Sequence, residues 1–258
     1  MLAVECPTKL YFTGKDTEYQ NLMKEDSFLE MLAEGGFQVG ALAKLMYPGG
    51  IEIHARDHAA AEKETKELLK RDKVILFEPA IRHGDLFVRI DILVKEKNEF
   101  QLIEVKAKSY DSSDPKIEGK RGRITSDMLP YIQDVAFQTH VLRSLYPKSR
   151  ITSSLLMPDK SKHATIDGLN QLFAIQRQPG AVKIDVNPRA FSEGYGDNVL
   201  TLINVDPYIT MVMNEGIEYP GGRGSLAKLA DQWAQAYKTD SRIKPSLGSH
   251  CTDCEFQT

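Results

Sequence analysis

The chain has 258 residues, enough for one large domain or for a domain with an appendage. Hydrophobic residues make up 41% of the sequence and charged residues 27%, as in ordinary globular proteins, and no apolar run of about 18 residues predicts a membrane-spanning helix. The formal net charge of −3 excludes a global basic field, so binding of nucleic acid would need local basic patches.

The chain begins with MLAVECPTKLYFTGK, a poor match to a signal peptide because Glu5 interrupts its short apolar stretch, and we expect a cytoplasmic protein. Helices are predicted next. Residues 16–34 have an apolar stripe of helical spacing that Gly35-Gly36 is expected to end. Residues 38–46 predict a second helix, and the alanine-rich segment 55–72 predicts a third.

The hydrophobic pattern then changes to that of strands. Segments 74–81, 85–94 and 100–107 are rich in β-branched and aromatic residues and are bounded by turn-forming or charged residues, so they predict a meander of three strands. A flexible charged stretch is expected at 109–123. The later predicted elements are a helix at 126–146, strands at 151–157 and 170–176, and an amphipathic helix at 225–238.

This order of elements predicts an α/β fold with a mixed β-sheet flanked by helices. We expect a single domain over residues 1–258. Its core is expected at about 37–160, followed by an insertion or extension at 161–245 and a cysteine-bearing tail at 246–258.

Ionisable residues interrupt two of the predicted strands. Strand alternation places Glu104 and Lys106 on one face, and a short loop between the strands brings Asp91 beside Glu104. On the first of these strands, Ile90 and Ile92 are expected to share the face opposite Asp91. Burying such charges costs several kcal/mol unless they are paired or bound to metal.

Two interpretations of these charges are open. Glu-x-Lys triplets occur three times in the chain, but only Glu104-Val105-Lys106 lies in an apolar strand. A structural ion pair between Lys106 and Asp91 is one interpretation. The other is a site for a hard metal, because Mg²⁺ prefers one or two carboxylates together with water or phosphate, and a lysine beside it can stabilise developing charge.

Asp91, twelve intervening residues and Glu104-Val105-Lys106 together resemble the PD-(D/E)XK nuclease motif. The segment YIQDVAFQTHVL at 131–142 is similar to the glutamine-bearing helix of the RecB-like branch, with Gln138 as the matching residue. In FEPAI, Glu78 is expected at the start of the first strand, as in many RecB-like members.

The resemblance implies a restriction-endonuclease-like core and metal-dependent hydrolysis of DNA phosphodiester bonds. Asp91, Glu104 and the Val105 carbonyl would bind Mg²⁺ or Mn²⁺, Lys106 would assist the attacking water, and Gln138 and Glu78 would support the site. A surface position for Gln138 and an edge salt bridge for Glu78 are the alternatives. An RNA-directed nuclease and a catalytically inactive nucleic-acid-binding or assembly module are the alternative functions.

One feature departs from the family pattern. RecB-like nucleases often have Gly-x-x-x-His on the preceding helix, whereas Gly40 to Lys44 reads GALAK here, with lysine at the histidine position. Arg89 has no predicted role beyond a partner for Glu78 or for a phosphate.

Cysteines flank the predicted core, with Cys6 before it and Cys251 and Cys254 after it. This arrangement resembles iron–sulfur nucleases of the AddB and CRISPR-associated type, in which four cysteines hold a 4Fe–4S cluster. This sequence has three, so either it is a piece of a longer protein or His250 completes a Cys₃His set that favours zinc. Three reduced thiols are the alternative.

A basic stretch follows the strand that carries Lys106. Lys116, Lys120, Arg121 and Arg123 lie beside glycines in KIEGKRGR, where a mobile loop would follow a phosphate backbone. A solvated loop without such a role is the alternative.

Overall fold

The computed structural model describes residues 2–23, 27–178, 181–252 and 254–256. Its helices are α1 (Leu2–Glu5), α2 (Lys9–Phe12), α3 (Ser27–Leu45), α4 (His58–Leu68), α5 (Leu129–Leu145), α6 (Arg189–Ser192), α7 (Asp206–Glu215) and α8 (Leu226–Lys238). Its strands are β1 (Ile51–Glu52), β2 (Lys73–Phe77), β3 (Ala80–His83), β4 (Leu86–Arg89), β5 (Ile92–Glu96), β6 (Glu99–Val105), β7 (Arg150–Pro158), β8 (Phe173–Gln178), β9 (Ala181–Val186), β10 (Leu200–Asn204), β11 (Ile217–Tyr219) and β12 (Gly222–Gly224).

A mixed sheet of six strands forms the centre of the described part of the chain, in the order β1-β2-β5-β6-β7-β10. Strands β2, β5 and β6 pair antiparallel, and β6 and β7 pair parallel. Helix α5 connects the parallel pair, as such a crossover requires. The predicted α/β fold with a mixed, helix-flanked sheet is confirmed.

The two faces of the sheet bury separate apolar clusters. One face packs against α5, α7 and α8, and includes Leu102 and Leu155. The other face packs against α3 and the β8–β9 hairpin, and includes Ile103 and Leu156. Because neighbours in a strand face opposite sides, Glu104 shares the α5 face with Leu102. The core therefore directs Glu104 towards α5.

The predicted meander is correct in its strand order, but its first two strands are each divided by a bend. Glu78 has a φ of 55° and Pro79 follows it, so β2 ends there, because proline cannot donate to the ladder. The Ile90–Asp91 bend lies opposite, where the Ile90 N–H donates to Pro79 O at 3.1 Å. Between the bends, β3 and β4 form a separate hairpin.

These bends change two expectations. Glu78 follows the end of β2, so its expected position at the start of a strand is wrong. Ile90 packs in the cluster on the α5 face and Ile92 in the cluster on the α3 face, so they do not share a face as simple alternation predicts. A change of backbone direction between the two residues breaks the period of two.

The predicted helices at 16–34 and 38–46 are wrong in their boundaries. Residues 16–19 form turns, 24–26 lie outside the described residues, and α3 runs without interruption from Ser27 to Leu45 through Gly35-Gly36. Each glycine costs a helix about 1 kcal/mol relative to alanine. Burial of apolar residues elsewhere on the same helix can outweigh this cost. Leu42 and Ala43 supply that burial against the sheet.

Three predicted helices are present as α4, α5 and α8, which correspond to the predictions at 55–72, 126–146 and 225–238. The strand predicted at 151–157 corresponds to β7. The strand predicted at 170–176 begins only at Phe173, after a 3-10 turn. Strand β10 and helix α7 were not predicted. Since β10 extends the central sheet beside β7 and α7 packs on α5, the segment 161–245 contributes to the main core.

Among the described residues, no helix combines the length and the hydrophobicity that crossing a lipid bilayer requires.

Candidate metal-binding active site

Asp91 and Glu104 meet at the same end of two neighbouring strands. Ile92 pairs with Ile103, so Asp91 and Glu104 are the next opposed residues beyond that pair. Asp91 Oδ2 accepts a hydrogen bond from the Val105 N–H at 2.7 Å, which fixes the side chain against β6. The predicted proximity of the two acids is therefore present in the structure.

Helix α5 completes the environment of Glu104. Gln138 donates from Nε2 to Glu104 Oε2 at 2.8 Å, and both residues are buried, with exposures of 5% and 6%. Gln138 Oε1 is buried and accepts no hydrogen bond from the part of the chain that the structure describes. An unsatisfied buried acceptor costs about 1–3 kcal/mol and indicates a missing donor or cation. The surface position considered for Gln138 is therefore wrong.

Lys106 lies between two carboxylates. Its Nζ is 2.7 Å from Glu104 Oε1 and 2.8 Å from Asp134 Oδ2. Its hydrogen bonds do not include Asp91, so the ion pair considered between Lys106 and Asp91 is replaced by these two. Asp134 and Gln138 are four residues apart on α5, so one face of this helix contacts both Lys106 and Glu104.

Burial shapes the electrostatics of the two acids. It raises the pKa of Asp91 to about 6, and the nearby carboxylate of Glu78 adds to this effect. Burial also raises the pKa of Glu104 to about 7, with Asp91 as the next contribution. Desolvation works against the charged form of Lys106, but Glu104 and Asp134 outweigh it, so the pKa of Lys106 lies above its usual value.

Glu78 lies beside this pair in a strained backbone conformation. Burial raises the pKa of Glu78, and the charge of Lys44 is the largest influence that lowers it. Arg89 Nε is 3.9 Å from Glu78 Oε2, a distance too long for a hydrogen bond. Non-glycine residues at positive φ cost about 1–2 kcal/mol each and concentrate at functional sites.

Arg89 and Lys44 have structural partners that the sequence did not indicate. The Arg89 guanidinium donates to the carbonyls of Ile53 and Ala55, each at 2.9 Å, and so ties β4 to the segment after β1. Lys44, the last residue of the GALAK segment, contacts both carboxylate oxygens of Glu52 at 2.7 and 2.9 Å.

The residues fit a single hard cation. Asp91 and Glu104 offer carboxylate oxygens, and their pKa values are raised mainly by burial and further by neighbouring carboxylates, which a cation would offset. Gln138, whose amide nitrogen donates to Glu104, has an Oε1 acceptor that no described donor uses. Mg²⁺ needs only one or two carboxylates because it retains several waters. Among the described residues, no group of three or more His, Cys, Asp or Glu is arranged to hold a metal, so the donor set is limited to such a pair with backbone and water oxygens.

The basic residues predicted after β6 lie on a short exposed turn. Glu118 and Ile124 form an isolated bridge, and the Gly119 N–H donates to Arg123 O at 2.8 Å. Ile117 anchors this turn in the core. Its exposed side chains are the acidic Glu118 and the basic Lys116, Lys120, Arg121 and Arg123. Lys116 is paired with Asp114 at 2.6 Å. We call residues 116–125 the basic hairpin.

In the chain, the basic hairpin lies between Lys106, the residue after β6, and the start of α5. The centre of the Tyr131 ring lies 5.9 Å from Lys106 Nζ and 6.0 Å from Lys108 Nζ. The ring is half-buried at the first turn of α5. Two positive charges and an aromatic ring therefore lie together at the candidate site.

The cysteines lie where the two ends of the described chain meet. Leu22 N–H donates to Glu255 O at 2.9 Å, and buried Lys9 pairs with Glu255 at 2.6 Å. Cys6 is buried in this region, and Cys251 Sγ is 3.5 Å from His250 Nε2. The three cysteines form no disulfide, and among the described residues they are not gathered with His250 into a metal-ligand group.

Sequence reasoning missed Asp134, which contacts Lys106 as closely as Glu104 does. A signal existed, because Asp134 precedes Gln138 by one helical turn and therefore shares its face. Comparison with known proteins supplies no further assignment, because no protein-family model and no curated protein matches this chain.

Proposed function

We propose that the protein is a metal-dependent nuclease of the RecB-like type, with a restriction-endonuclease-like core, that hydrolyses DNA phosphodiester bonds. The observation that supports this most is the pair of half-buried Asp91 and buried Glu104 on adjacent strands, with Lys106 hydrogen-bonded to Glu104. A structural ion pair would need one acid for one lysine. Here the acids outnumber the lysine, and burial makes each unpaired charge cost several kcal/mol.

Each residue of the site has a distinct task. A Mg²⁺ or Mn²⁺ ion would supply a Lewis acid and lower the pKa of a bound water. Asp91 and Glu104 would hold the ion, with the Val105 carbonyl beside them, while the Val105 N–H orients Asp91 and the Gln138 amide orients Glu104. The Lys106 ammonium would donate to a phosphate oxygen and stabilise the charge that develops at phosphorus.

The basic hairpin and Lys108 are the proposed contacts to the nucleic-acid backbone. Lys120, Arg121 and Arg123 are exposed and follow Lys106 in the chain before α5 begins. Contacts of this kind give affinity without sequence readout. Tyr131, between Lys106 and Lys108, offers a stacking surface for a base near the cleaved bond.

A second candidate is a nucleic-acid-binding or assembly module that lacks catalysis. The observation that favours it is the double pairing of Lys106 with Glu104 and Asp134, since a lysine held on two sides has fewer donors left for substrate. RNA is a third candidate substrate, because phosphate contacts do not distinguish the two polymers. We also propose a cytoplasmic location, where unpaired thiols such as Cys6 and Cys254 stay reduced.

The deciding experiment is a cleavage assay with Mg²⁺ or Mn²⁺ on single- and double-stranded DNA and RNA. We expect the wild type to cut and Asp91→Ala and Lys106→Ala to lose at least about 100-fold in rate, as for removal of a group that stabilises transition-state charge. Metal-dependent cleavage that both variants retain would refute the assignment. Binding of nucleic acid with no cleavage by the wild type would favour the non-catalytic module. Visible absorbance and metal analysis of the purified protein would test the iron–sulfur or zinc prediction for Cys6, Cys251 and Cys254.

A further inference from the structure

Lys106 has two anionic partners, and they differ in how they are placed. Glu104 belongs to the candidate metal pair, with a side chain that is only 8% exposed. Asp134 is on α5 outside that pair, and its side chain is 29% exposed. An ammonium group has three donors, so it can bind both carboxylates together. Water can hydrate the Asp134 charge more easily than that of Glu104.

Both oxygens of Glu104 already accept hydrogen bonds. Lys106 occupies Oε1 at 2.7 Å and Gln138 occupies Oε2 at 2.8 Å. A divalent cation on this carboxylate would repel the Lys106 ammonium, because the two positive charges would share one small buried site. Lys106 therefore needs another anionic group to remain beside the cation.

We propose that Asp134 is a positioning residue that holds the Lys106 ammonium away from Glu104 when Glu104 binds a divalent cation. Asp134 Oδ2 is 2.8 Å from Lys106 Nζ, so little movement of the lysine is needed. Helix α5 fixes the arrangement, because Asp134 faces Lys106 and Gln138, one turn later, faces Glu104. The inference rests on the proposed function, since it assumes that Glu104 is a metal ligand.

The consequence is a specific coupling between Asp134 and Lys106. Without Asp134, Lys106 is left with Glu104 alone and competes with the cation for it. Substitution of groups that support metal ligands typically weakens metal binding about 10–100-fold. If Asp134 acts only through Lys106, its loss will matter much less when Lys106 has already been removed.

The test is a double-mutant cycle in which Mn²⁺ binding is measured by titration calorimetry or by the loss of the free-ion electron paramagnetic resonance signal. We expect Asp134→Asn to weaken Mn²⁺ binding at least about tenfold in the wild-type background and less than about threefold in Lys106→Met. Asp134→Glu, which keeps the charge, should restore binding to within about threefold. If Asp134→Asn does not fold, the Asp134→Glu variant still tests the inference.

Asp127→Asn is the matched control, because Asp127 also pairs with a lysine beside α5, at 3.2 Å from Lys108, but does not contact Lys106. It should change Mn²⁺ binding less than about twofold. An equal loss from Asp134→Asn in both backgrounds would overturn the positioning role while leaving the metal site intact. A wild type that binds no Mn²⁺ would instead overturn the metal site itself, and the inference with it.

Discussion

The Asp91 carboxylate accepts a hydrogen bond from the Val105 N–H at 2.7 Å, across the paired strands β5 and β6. This bond joins the backbone of the Glu-x-Lys triplet to the acid that precedes it by twelve intervening residues. It also occupies Oδ2, and no described donor contacts Oδ1. The bond therefore orients Asp91 without using its second oxygen, which is the arrangement a metal ligand needs.

Asp91 should destabilise the folded protein at neutral and higher pH. Because burial raises its pKa to about 6, the folded state binds this proton more tightly than the unfolded state does. The stability it contributes is present below about pH 4 and is lost as the pH rises through about 6. We expect Asp91→Asn to raise the free energy of unfolding by about 3 kcal/mol near pH 8 and by much less near pH 4, measured by denaturant unfolding.

The control for this prediction is Asp85→Asn, because Asp85 is exposed and pairs with Lys238. Its loss should change stability by less than about 1 kcal/mol at either pH. If Asp91→Asn is less stable than the wild type near pH 8, the conclusion that burial dominates at Asp91 is wrong.

The bend at Glu78 should store backbone strain. Glycine adopts a φ of 55° without the steric cost that other residues incur. We therefore expect Glu78→Gly to be more stable than Glu78→Ala by about 1 kcal/mol in denaturant unfolding, although alanine is normally the better residue. Both variants lack the carboxylate, so the difference between their free energies of unfolding reports the conformational cost of the backbone at position 78. Equal stabilities would show that the bend relaxes.

The basic hairpin should dominate the salt dependence of nucleic-acid binding. Replacing Lys120, Arg121 and Arg123 by alanine should make the slope of log K against log salt less steep by about 2–3, since each phosphate contact contributes about 0.7–0.9. Fluorescence anisotropy in EDTA, where no strand is cut, measures this slope.

The matched control replaces exposed cations at the opposite end of the sheet, where Lys73 faces Glu96, Arg150 faces Glu99 and Lys148 lies beside Asn98. The triple alanine variant of Lys73, Lys148 and Arg150 has the same change in net charge. If it flattens the salt slope as much as the hairpin variant does, binding depends on overall charge and not on the hairpin.

The contact between the two chain ends should depend on Thr8. Its buried hydroxyl donates to Ile243 O at 2.9 Å. Thr8→Ala should lower stability by about 1 kcal/mol, because the carbonyl loses its partner. Amide hydrogen exchange should become faster in residues 243–256 and at Leu22, whose N–H bonds to Glu255.

Thr210→Ala is the comparison for Thr8, because the exposed Thr210 hydroxyl donates to Asp206 O within the same helix and not to the tail. It should leave exchange in the tail unchanged. Unaltered tail exchange in Thr8→Ala would mean that other contacts, such as Lys9 with Glu255, hold the ends together without this hydrogen bond.

Local pattern was sufficient for several parts of this protein. The spacing from Asp91 to Glu104, the alternation that puts Glu104 and Lys106 on one face, and helix α5 with Gln138 all follow from neighbours in the sequence. These features depend on periods of two and of 3.6 residues, which act over a few positions. The predicted α/β fold follows from the order of such segments.

Packing between distant segments decided the rest. Asp134 meets Lys106 because β6 and α5 pack together, and Arg89 binds the carbonyls of Ile53 and Ala55 on a segment more than thirty residues away. The unbroken helix α3 depends on the sheet beneath it, which compensates for Gly35-Gly36. The sequence by itself therefore determined which groups are available for chemistry, because side-chain identity and short-range period are local. Only the tertiary structure decided which of them are buried together and which charges share a partner, because those energies arise from contacts that the linear order does not contain.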